Sequence, residues 1–411
     1  MNMWKNPKLP EFGNLSDLRI VHASNSLAGP FAVTILAEYG ADTIWIENAL
    51  MPDYTRFTHN IQLESERRNQ RNLALQIGTP EGKEILLKLI KDADVFLESS
   101  KGGQFDRFGL SDEVLWEVNP QLVIAHVSGY GQSGIPEYVG RPSFDATAQA
   151  FSGYMYENTN PVTPPYATGP YQADYTTALY TAVAILAAWH KAQQTGKGDS
   201  IDVAQYEIMM RTSIFSVDYF SFQKEFPKTG DKSMIAGWGP FECKDGKHLY
   251  CCFSGVNVLR NAVKFLGLEY GSGAFPAGMA IYQIDTAPGQ AFMKALYAYF
   301  KTRTVLEAEK EMQAAGLPVS KINSFADLEN NPHVKAREVI EEWETVKGTK
   351  LRAVGPLPKF KNCPGKVWRP SPSFGENNDE ILGEIGYSPE QIQDLYAKNI
   401  IAQDKDLEFS R

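Results

Sequence analysis

The stretch LRIVHASNSLAGPFAVTILAEYGADTIWIE, residues 18–47, contains the pattern that decides the fold. A short apolar run, LRIVHAS, precedes the loop NSLAGP, a helical run, FAVTILAEYG, and a second apolar run, TIWIE. Strand, loop, helix and strand in this order are typical of a parallel β-sheet covered by helices. The sequence therefore predicts an α/β fold.

The same alternation continues along the chain. Thr79 and Pro80 open a predicted helix over EGKEILLKLIKDA, and DVFLES follows as a strand. Ser111 is the expected N-cap of the helix DEVLWEV, which precedes the strand QLVIAHVS, and SIDVAQ after Gly198 is a further strand. These repeats predict one large domain built around a parallel sheet.

Between about residues 226 and 319 the pattern changes. GPFECKDGKHLYCCF predicts a hairpin with Asp245 and Gly246 at its turn, and amphipathic helices follow, which indicates a smaller inserted α+β domain. Residues 356–374 are Pro-rich and predict an extended arm, and Ser388 with Gln391 predicts a capping box on the last helix. The predicted segments are 1–225, 226–325 and 326–411.

Composition narrows the class of protein. The 411 residues carry a net charge of −9, which argues against nucleic acid or an anionic membrane as a partner. The start lacks a signal-peptide pattern, and the apolar run 175–189 is too short to span a membrane, so we expect a buried helix. The four cysteines and six histidines are scattered, so no metal site is predicted and a cytoplasmic protein is expected.

Gly129, Gly131 and Gly134 match the G-x-G-x-x-G spacing of dinucleotide-binding loops and follow a strand. Such a site needs a helix directly after the glycines. IPEYVGRPS follows instead, and its two prolines predict that no helix starts there. We therefore interpret the segment as a tight turn where a ligand can approach the backbone.

Basic residues cluster at two predicted loop ends. ESERRNQRN supplies Arg67, Arg68 and Arg71, and ESSKGGQFDRFG supplies Lys101 and Arg107. Parallel-sheet proteins bind ligands at the carboxyl ends of strands, where Lys and Arg suit phosphates. Two interpretations stay open, an anionic ligand or ordinary surface charges.

Asp174 stands near the start of the long helix in YATGPYQADYTTALYTAVAILAAWHK, residues 166–191, which Gly196 and Gly198 end. An aspartate at this position is ordinarily a helix cap. The alternative is a nucleophile, because the positive end of a helix favours the ionised carboxylate.

Several motifs together resemble the class III coenzyme A (CoA) transferase family, which also contains formyl-CoA transferases and α-methylacyl-CoA racemases. Some segments, notably WIEN and DEVLWEVNPQLVIAHVSGYGQ, are most similar to L-carnitine CoA-transferases. The motifs span nearly the whole chain and are LRIV, AGPFA, LAEYGAD, WIEN, ERRNQRNLAL, SKGGQFDRFG, HVSGYGQSG, FDATAQAFSG, QADY, TGKGDSIDVAQYE and GPLPKFKNCPGKVW.

The resemblance implies roles for individual residues. Asp174 matches the catalytic nucleophile, and Lys101 and Arg107 match residues that contact CoA. Arg67, Arg68 and Asn69 lie at the place of another CoA-binding loop. The implied reaction forms an aspartyl anhydride and then an aspartyl–CoA thioester, with no metal and no tightly bound cofactor. Backbone amides at the helix start or in the segment AGWGP, residues 236–240, are expected to hold the oxyanions.

The expected substrates are an acyl-CoA and a free carboxylate. Carnitine, crotonobetaine or γ-butyrobetaine would need aromatic faces for the trimethylammonium group, for which Tyr154, Tyr166, Tyr171 and Trp238 are candidates. Another small carboxylate, such as a hydroxy or branched-chain acid, is the alternative. AGWGP stands where formyl-CoA transferases carry a mobile glycine run, and Trp238 in place of a glycine argues against the same mobility.

Two further alternatives stay open. Racemases of the family place a histidine before the aspartate of their G-H-D segment, but here Phe144 precedes Asp145, which disfavours two-base racemisation. His126 lies inside a predicted strand, where a packed or hydrogen-bonded role is expected. The other alternative is a non-catalytic CoA-binding dimer in which Asp174 is only a cap.

The family fold implies an interlocked homodimer. Its Rossmann-like large domain is built from both ends of each chain, the small domain lies between them, and the extended arm suits a crossing of the two chains.

Overall fold

The computed structural model describes residues 9–58, 60–158, 164–213, 215–225 and 233–404. By contact, the chain divides into a larger unit of Met1–Met155, Ala167–Lys224 and Glu338–Arg411 and a smaller unit of Tyr156–Tyr166 and Glu225–Arg337. The smaller unit thus ends at Arg337, past the predicted boundary at 325.

The larger unit contains a six-stranded sheet in the order β3-β2-β1-β4-β5-β6, with every neighbouring pair parallel. This sheet confirms the predicted α/β fold class. Its strands are β1 Arg19–Ala23, β2 Asp42–Glu47, β3 Arg71–Ala74, β4 Val95–Glu98, β5 Val123–Ser128 and β6 Ser200–Ala204.

The strand order reverses between β1 and β4. Chain connections leave the two sides of such a point in opposite directions, which opens a crevice at the carboxyl ends of the strands. The loops that follow β1 and β4 therefore flank the position where this fold ordinarily binds a ligand.

Helices cover both faces of this sheet and form much of the smaller unit. In chain order they are α1 Ala28–Glu38, α2 Thr55–Thr58, α3 Asn60–Arg67, α4 Pro80–Ile90, α5 Gln104–Arg107, α6 Asp112–Val118, α7 Pro136–Val139, α8 Asp145–Phe151, α9 Tyr154–Glu157, α10 Gln172–Thr195, α11 Gln205–Thr212, α12 Ser216–Phe222, α13 Val256–Phe265, α14 Ala287–Phe300, α15 Val305–Ala314, α16 Phe325–Glu329, α17 Pro332–Ala336, α18 Asn378–Glu384 and α19 Pro389–Ala397.

Consecutive strand residues supply two separate cores. Val21 packs in a cluster with residues of α4, α6, α18 and α19, whereas Ile20 packs in a cluster with residues of α1 and α10. Side chains of a strand alternate between its faces, so these clusters lie on opposite sides of the sheet. The C-terminal helices thus complete the core that the N-terminal strands begin.

The long helix α10 is only half buried, contrary to the prediction. Its buried face carries small residues such as Ala178 and Ala182, which let α1 pack closely against it. Leu179 and Val183 are 55% and 68% exposed. The apolar composition of this helix therefore reflects both an inner face and an exposed one.

The helix-start signals of the sequence are confirmed at some helices and wrong at others. Thr79 and Ser388 cap α4 and α19 as predicted, whereas Ser111 occupies the N-cap of α6 without a side-chain capping bond. The prediction that no helix follows the glycine turn is wrong, because α7 forms one turn there. Its first residue is Pro136, and proline suits the first position of a helix.

Besides the short β9, Val319–Lys321, two sets of strands are absent from the prediction. One is β3, whose first residue, Arg71, is buried. The other is an antiparallel hairpin of β10, Ile340–Glu344, and β11, Lys350–Val354. After this hairpin, residues 355–374 contain no helix or strand, in line with the predicted arm.

The smaller unit contains an antiparallel sheet of β7 Trp238–Glu242, β8 His248–Cys252 and β9 Val319–Lys321. Asp245 and Gly246 form the turn of the predicted hairpin, and Gly246 has a φ of +72°. Within the part of the chain that the structure describes, no helix is long and apolar enough to cross a membrane.

Candidate functional site

A cavity of about 290 Å³ lies at the carboxyl edge of the sheet, beside the point where the strand order reverses. Its walls come from the loops after β1, β4 and β5, from the segment before α8, and from the starts of α1, α10 and α11. The lining residues are Asn25, Ser26, Leu27, Ala28, Gly29, Ser99, Ser100, Lys101, Val127, Ser128, Gly129, Arg141, Pro142, Ser143, Phe144, Asp174 and Gln205.

Asp174 lies in the first turn of α10 and lines this cavity. Gln205, the first residue of α11, donates from Nε2 to Asp174 Oδ1 at 2.6 Å. Because Gln205 directly follows β6, the carboxyl end of an edge strand delivers an amide to the carboxylate. The structure therefore places Asp174 in a cavity with a neutral donor on one of its oxygens.

Asp145 performs the capping that an aspartate near a helix start ordinarily performs. Its Oδ1 accepts from the backbone N–H groups of Ala173 at 2.6 Å and Asp174 at 3.1 Å. Its Oδ2 accepts from Gln149 Nε2 at 2.7 Å. The carboxylate of Asp174 is thereby displaced from the helix amides, so the capping interpretation of Asp174 is wrong.

The pKa of Asp174 is raised to about 7. Burial is the largest cause, and the nearby carboxylate of Asp145 acts in the same direction, whereas the hydrogen bond from Gln205 opposes both. The sequence-based expectation was that the helix start would favour the ionised form. It is wrong because burial disfavours the charge and because Asp145 occupies the amides that would have stabilised it.

The loop after β1 is held by a buried ion pair. Ser26 N donates to Asp53 Oδ2 at 2.7 Å, and Arg67 Nη2 donates to the Ser26 carbonyl and to Asp53 Oδ2 at 3.1 Å. Both charged side chains are fully buried, and Ser26 has a φ of +65°. The pair therefore fixes an unusual backbone conformation at the wall of the cavity.

The loop after β4 is held by a second charged group. Glu98 accepts from Ser100 N at 2.6 Å and from His126 Nδ1 at 2.8 Å, while His126 Nε2 bonds Asp112 at 3.0 Å. Burial lowers the pKa of His126, but the two carboxylates outweigh it and raise this pKa to about 10. His126 is thus a protonated residue with a structural role, which agrees with the hydrogen-bonded role expected from the sequence. It helps to hold the loop after β4, and that loop carries Lys101.

The sequence-predicted CoA residues are not all at the cavity. Lys101 lines it together with Asp174. Arg107 is exposed on α5, six residues further on, where it donates to Gln104 Oε1 at 2.6 Å. The two cations share the region after β4, as their placement in the sequence indicates.

Arg67, Arg68 and Asn69 are buried and engaged inside the larger unit. Arg67 pairs with Asp53 as described, and Arg68 Nε donates to Glu38 at 2.7 Å. Asn69 donates to the Lys366 carbonyl at 2.6 Å and accepts from Trp368 N at 2.8 Å, which holds the extended arm. These contacts are structural, and a role for the three residues in CoA binding stays a prediction.

Phe144 is the aromatic side chain that lines the cavity, and the four aromatic residues named from the sequence do not. Tyr154 packs beside Ala148, Ala173 and Met209 in the larger unit. Trp238 begins β7 and pairs with Cys252, so this part of AGWGP is sheet rather than a free loop. Tyr171 takes a left-handed φ of +53° at the N-cap of α10, and Tyr166 is exposed.

Comparison with known proteins then decides the family. The model of "CoA-transferase family III" matches residues 15–378. The chain belongs to this family. The family III chain is 40% identical over 398 residues to a bile acid CoA-transferase, BaiK, of Clostridium scindens, an alignment that covers 96% of this chain and 90% of the relative. The protein is therefore a CoA-transferase.

Solved structures share its fold. A CAIB/BAIF family protein from Brucella suis superposes with a TM-score of 0.76 at 26% identity, covering 91% of the transferase and 100% of that chain. Rv3272 from Mycobacterium tuberculosis superposes with a TM-score of 0.76 at 20% identity, covering 92% and 100% of the two chains. The latter likeness concerns the fold alone.

Sequence analysis missed two residues that the transferase brings to Asp174. Gln205 follows β6 and Asp145 begins α8, so both stand at ends of elements beside the sheet edge. The rule that ligands bind at the carboxyl ends of strands was applied to basic residues only. Applied to every polar residue after a strand, it would have included Gln205.

Proposed function

We propose that this family III transferase moves CoA between an acyl-CoA and a free carboxylate through covalent intermediates on Asp174. The observation that carries the proposal is the position of Asp174 in the cavity beside β1 and β4, with Lys101 on the same wall. A carboxylate suits the role because its acyl derivatives are reactive enough to pass the thiol on.

The proposed reaction has two halves. Asp174 attacks the donor thioester carbon, the C–S bond breaks, and CoA leaves as the thiolate while a mixed anhydride remains on Asp174. The thiolate then attacks Asp174 Cγ and releases the donor carboxylate, which leaves CoA on the enzyme as a thioester. The acceptor carboxylate reverses both steps, so the reaction needs no net proton transfer, only an ionised Asp174.

Lys101 is the proposed CoA contact at the cavity. This lysine is exposed, and Ser99 and Ser100 line the cavity beside it. Lysine acts as a point charge toward phosphate oxygens. Arg107 extends the same positive region along α5. We thus expect these two cations to bind the phosphate groups of CoA, while the reacting thioester lies in the cavity.

Two classes of acceptor are candidates. The resemblance to L-carnitine CoA-transferases favours carnitine, crotonobetaine or γ-butyrobetaine. The 40% identity to a bile acid CoA-transferase favours a bile acid. Among the described residues, Phe144 supplies the one aromatic ring on the cavity wall, and Arg141 there already pairs with Glu137. A trimethylammonium group needs several aromatic faces, which favours the bile acid.

The racemase alternative lacks support at the site. Phe144 stands where that branch carries its histidine, and it lines the cavity with a hydrocarbon ring. None of the histidines in the described residues lines this cavity, and His126 is engaged by Glu98 and Asp112. We propose in addition that the working form is a homodimer, as the resemblance implies.

Mass spectrometry of trapped intermediates tests the function. The full chain is incubated with crotonobetainyl-CoA, γ-butyrobetainyl-CoA or cholyl-CoA, quenched with hydroxylamine or borohydride, and mapped by peptide. We expect modification at Asp174 that is absent from Asp174→Asn, and the acyl-CoA that labels fastest identifies the substrate class. If no acyl-CoA modifies Asp174, the covalent mechanism is wrong.

A further inference from the structure

Five of the backbone amides that the sequence suggested as oxyanion donors are already hydrogen-bonded. Asp145 accepts from the amides of Ala173 and Asp174 at the start of α10. In the smaller unit, the amides of Ala236, Gly237 and Trp238 donate to Tyr282, Met293 and Ile235. Acyl transfer requires a donor at the oxygen that gains charge, and a side-chain amide can supply it.

Gln205 has the required position. Its Nε2 donates to Asp174 Oδ1 at 2.6 Å, and its side chain is buried at the carboxyl end of β6. Asp174 Oδ2 has no hydrogen-bond partner among the described residues and stands as the nucleophilic oxygen. Oδ1 then becomes the carbonyl oxygen of both the anhydride and the thioester.

We propose that Gln205 is a catalytic residue whose amide stabilises the oxyanion on Asp174 Oδ1. The inference rests on the proposed function, because it assigns a role within the same covalent reaction. When the CoA thiolate attacks Cγ of the anhydride, the C=O electrons move onto Oδ1 and the amide stabilises the charge. They return as the Cγ–O bond breaks and the donor carboxylate leaves.

The same donor serves the return half of the reaction. The acceptor carboxylate attacks Cγ of the thioester, Oδ1 again becomes negative, and its electrons expel the CoA thiolate. Gln205 carries no charge and no titratable proton near neutral pH, so it donates equally well in each step. It also donates to the ionised carboxylate of the resting enzyme, which favours the nucleophilic form.

The experiment compares Gln205→Met with the wild-type chain. Methionine matches the length of glutamine and lacks the donor. We expect kcat to fall about 100-fold, the usual cost of one oxyanion donor, while KM for the acyl-CoA that labels Asp174 changes less than about twofold. Tyr206→Phe, the next residue on α11, is the matched control and should keep the wild-type kcat.

The pH profile separates catalysis from packing. The hydrogen bond from Gln205 lowers the pKa of Asp174, so Gln205→Met should shift the midpoint of the acylation rate to higher pH. Gln205→Glu is a second variant of the same size, and its carboxylate should shift the midpoint further. A kcat within threefold of wild type in Gln205→Met, or an unchanged midpoint in Gln205→Glu, overturns the inference.

The two proposals fail in distinguishable ways. If wild type labels Asp174 but Gln205→Met transfers CoA at the normal rate, the proposed function stands and Gln205 is only a packing residue. If the wild-type chain is modified by none of the acyl-CoAs, the proposed function fails and this inference falls with it. Infrared spectra of the trapped thioester add a direct readout, since loss of the donor should raise its C=O stretching frequency.

Discussion

The titration of Asp174 sets the pH at which the nucleophile is active. Its pKa of about 7 predicts that the single-turnover acylation rate rises with pH through about 7 and levels off above, because only the ionised carboxylate attacks. Asp145→Asn keeps the oxygen that caps α10 and removes the charge, so the midpoint should fall by about one pH unit. Stopped-flow acylation measured from pH 5 to 9 checks both values.

Asp202→Asn is the control for that measurement. Asp202 is another carboxylate at the sheet edge, where it accepts from Gln132 N at 2.9 Å, and it is not among the causes of the Asp174 shift. Its replacement should leave the midpoint in place. An equal shift in both variants would mean that the overall charge of the edge, rather than Asp145, sets the pKa of Asp174.

Asp174 also lowers stability at neutral pH. Its pKa rises from 3.8 to about 7 on folding, so between these values the native state binds the proton more tightly than the unfolded chain. The free energy of unfolding therefore falls as pH rises from about 4 to 7. Asp174→Asn keeps the acceptor for Gln205 and should be more stable by about 1–3 kcal/mol at pH 8.

Urea unfolding at several pH values measures this difference. The advantage of Asp174→Asn should be constant above about pH 8, shrink as the pH falls through 7 toward 4, and vanish below about pH 3, where the wild-type carboxyl is protonated in both states. A variant that is less stable than wild type at pH 8 would show that the carboxylate is stabilised in the folded protein.

At the scale of single residues, the sequence predicts where a functional side chain lies in its own helix better than it predicts which distant residues that side chain contacts. The start of α10 and the position of Asp174 in its first turn are visible in the residues 166–191. The group that caps this helix is not visible, because Asp145 stands 29 residues earlier and reaches the amides only through the fold. The upward pKa shift of Asp174 comes from burial and from the nearby Asp145, both of which are set by tertiary structure, so local sequence predicts its direction wrongly.

Among the elements, α3 and the loop after it are rich in arginine, but these arginines are buried and do not form a basic surface. Arg67 is fully buried against Asp53 and lies over the ring of Trp45 at 4.8 Å. Removing one partner of a buried ion pair leaves the other charge unpaired. Arg67→Met should therefore lose about 3–5 kcal/mol of unfolding free energy.

Lys101→Met is the contrasting variant. Lys101 is exposed, so its replacement should change stability by less than about 0.5 kcal/mol and instead raise KM for acyl-CoA. Denaturant unfolding and steady-state kinetics on both variants separate the roles. If Arg67→Met keeps its stability and raises KM, Arg67 contacts CoA as the family resemblance implies.

The sequence predicts the strands that have a strong local pattern, but it does not predict those that depend on contacts with residues far away along the chain. β1, β2, β4 and β5 are apolar runs between turns. β3 reads Arg-Asn-Leu-Ala, and its arginine is buried only because Asp42 and Glu384 pair with it from other parts of the chain. The hairpin of β10 and β11 reads Ile-Glu-Glu-Trp-Glu and Lys-Leu-Arg-Ala-Val and is half exposed on both strands, so it carries few large apolar residues.

At the scale of the whole molecule, α10 has an exposed apolar face, and the fold of a single chain does not explain why that face is apolar. Leu179 and Val183, one helical turn apart, are 55% and 68% exposed on the longest helix of the structure's described part. Apolar stripes of this kind mark association surfaces. The homodimer that the resemblance implies supplies a partner for such a stripe.

Val183→Lys tests whether α10 contributes to that dimer. A lysine in an apolar interface buries an unpaired charge, so the dimer dissociation constant should rise at least about tenfold, equivalent to about 1.4 kcal/mol. Sedimentation velocity over a range of concentrations measures it. Gln194→Lys adds the same charge on a polar, exposed part of the same helix and should dissociate like wild type. Equal dissociation of both variants would remove α10 from the interface, and a monomeric wild-type chain would make the homodimer prediction wrong.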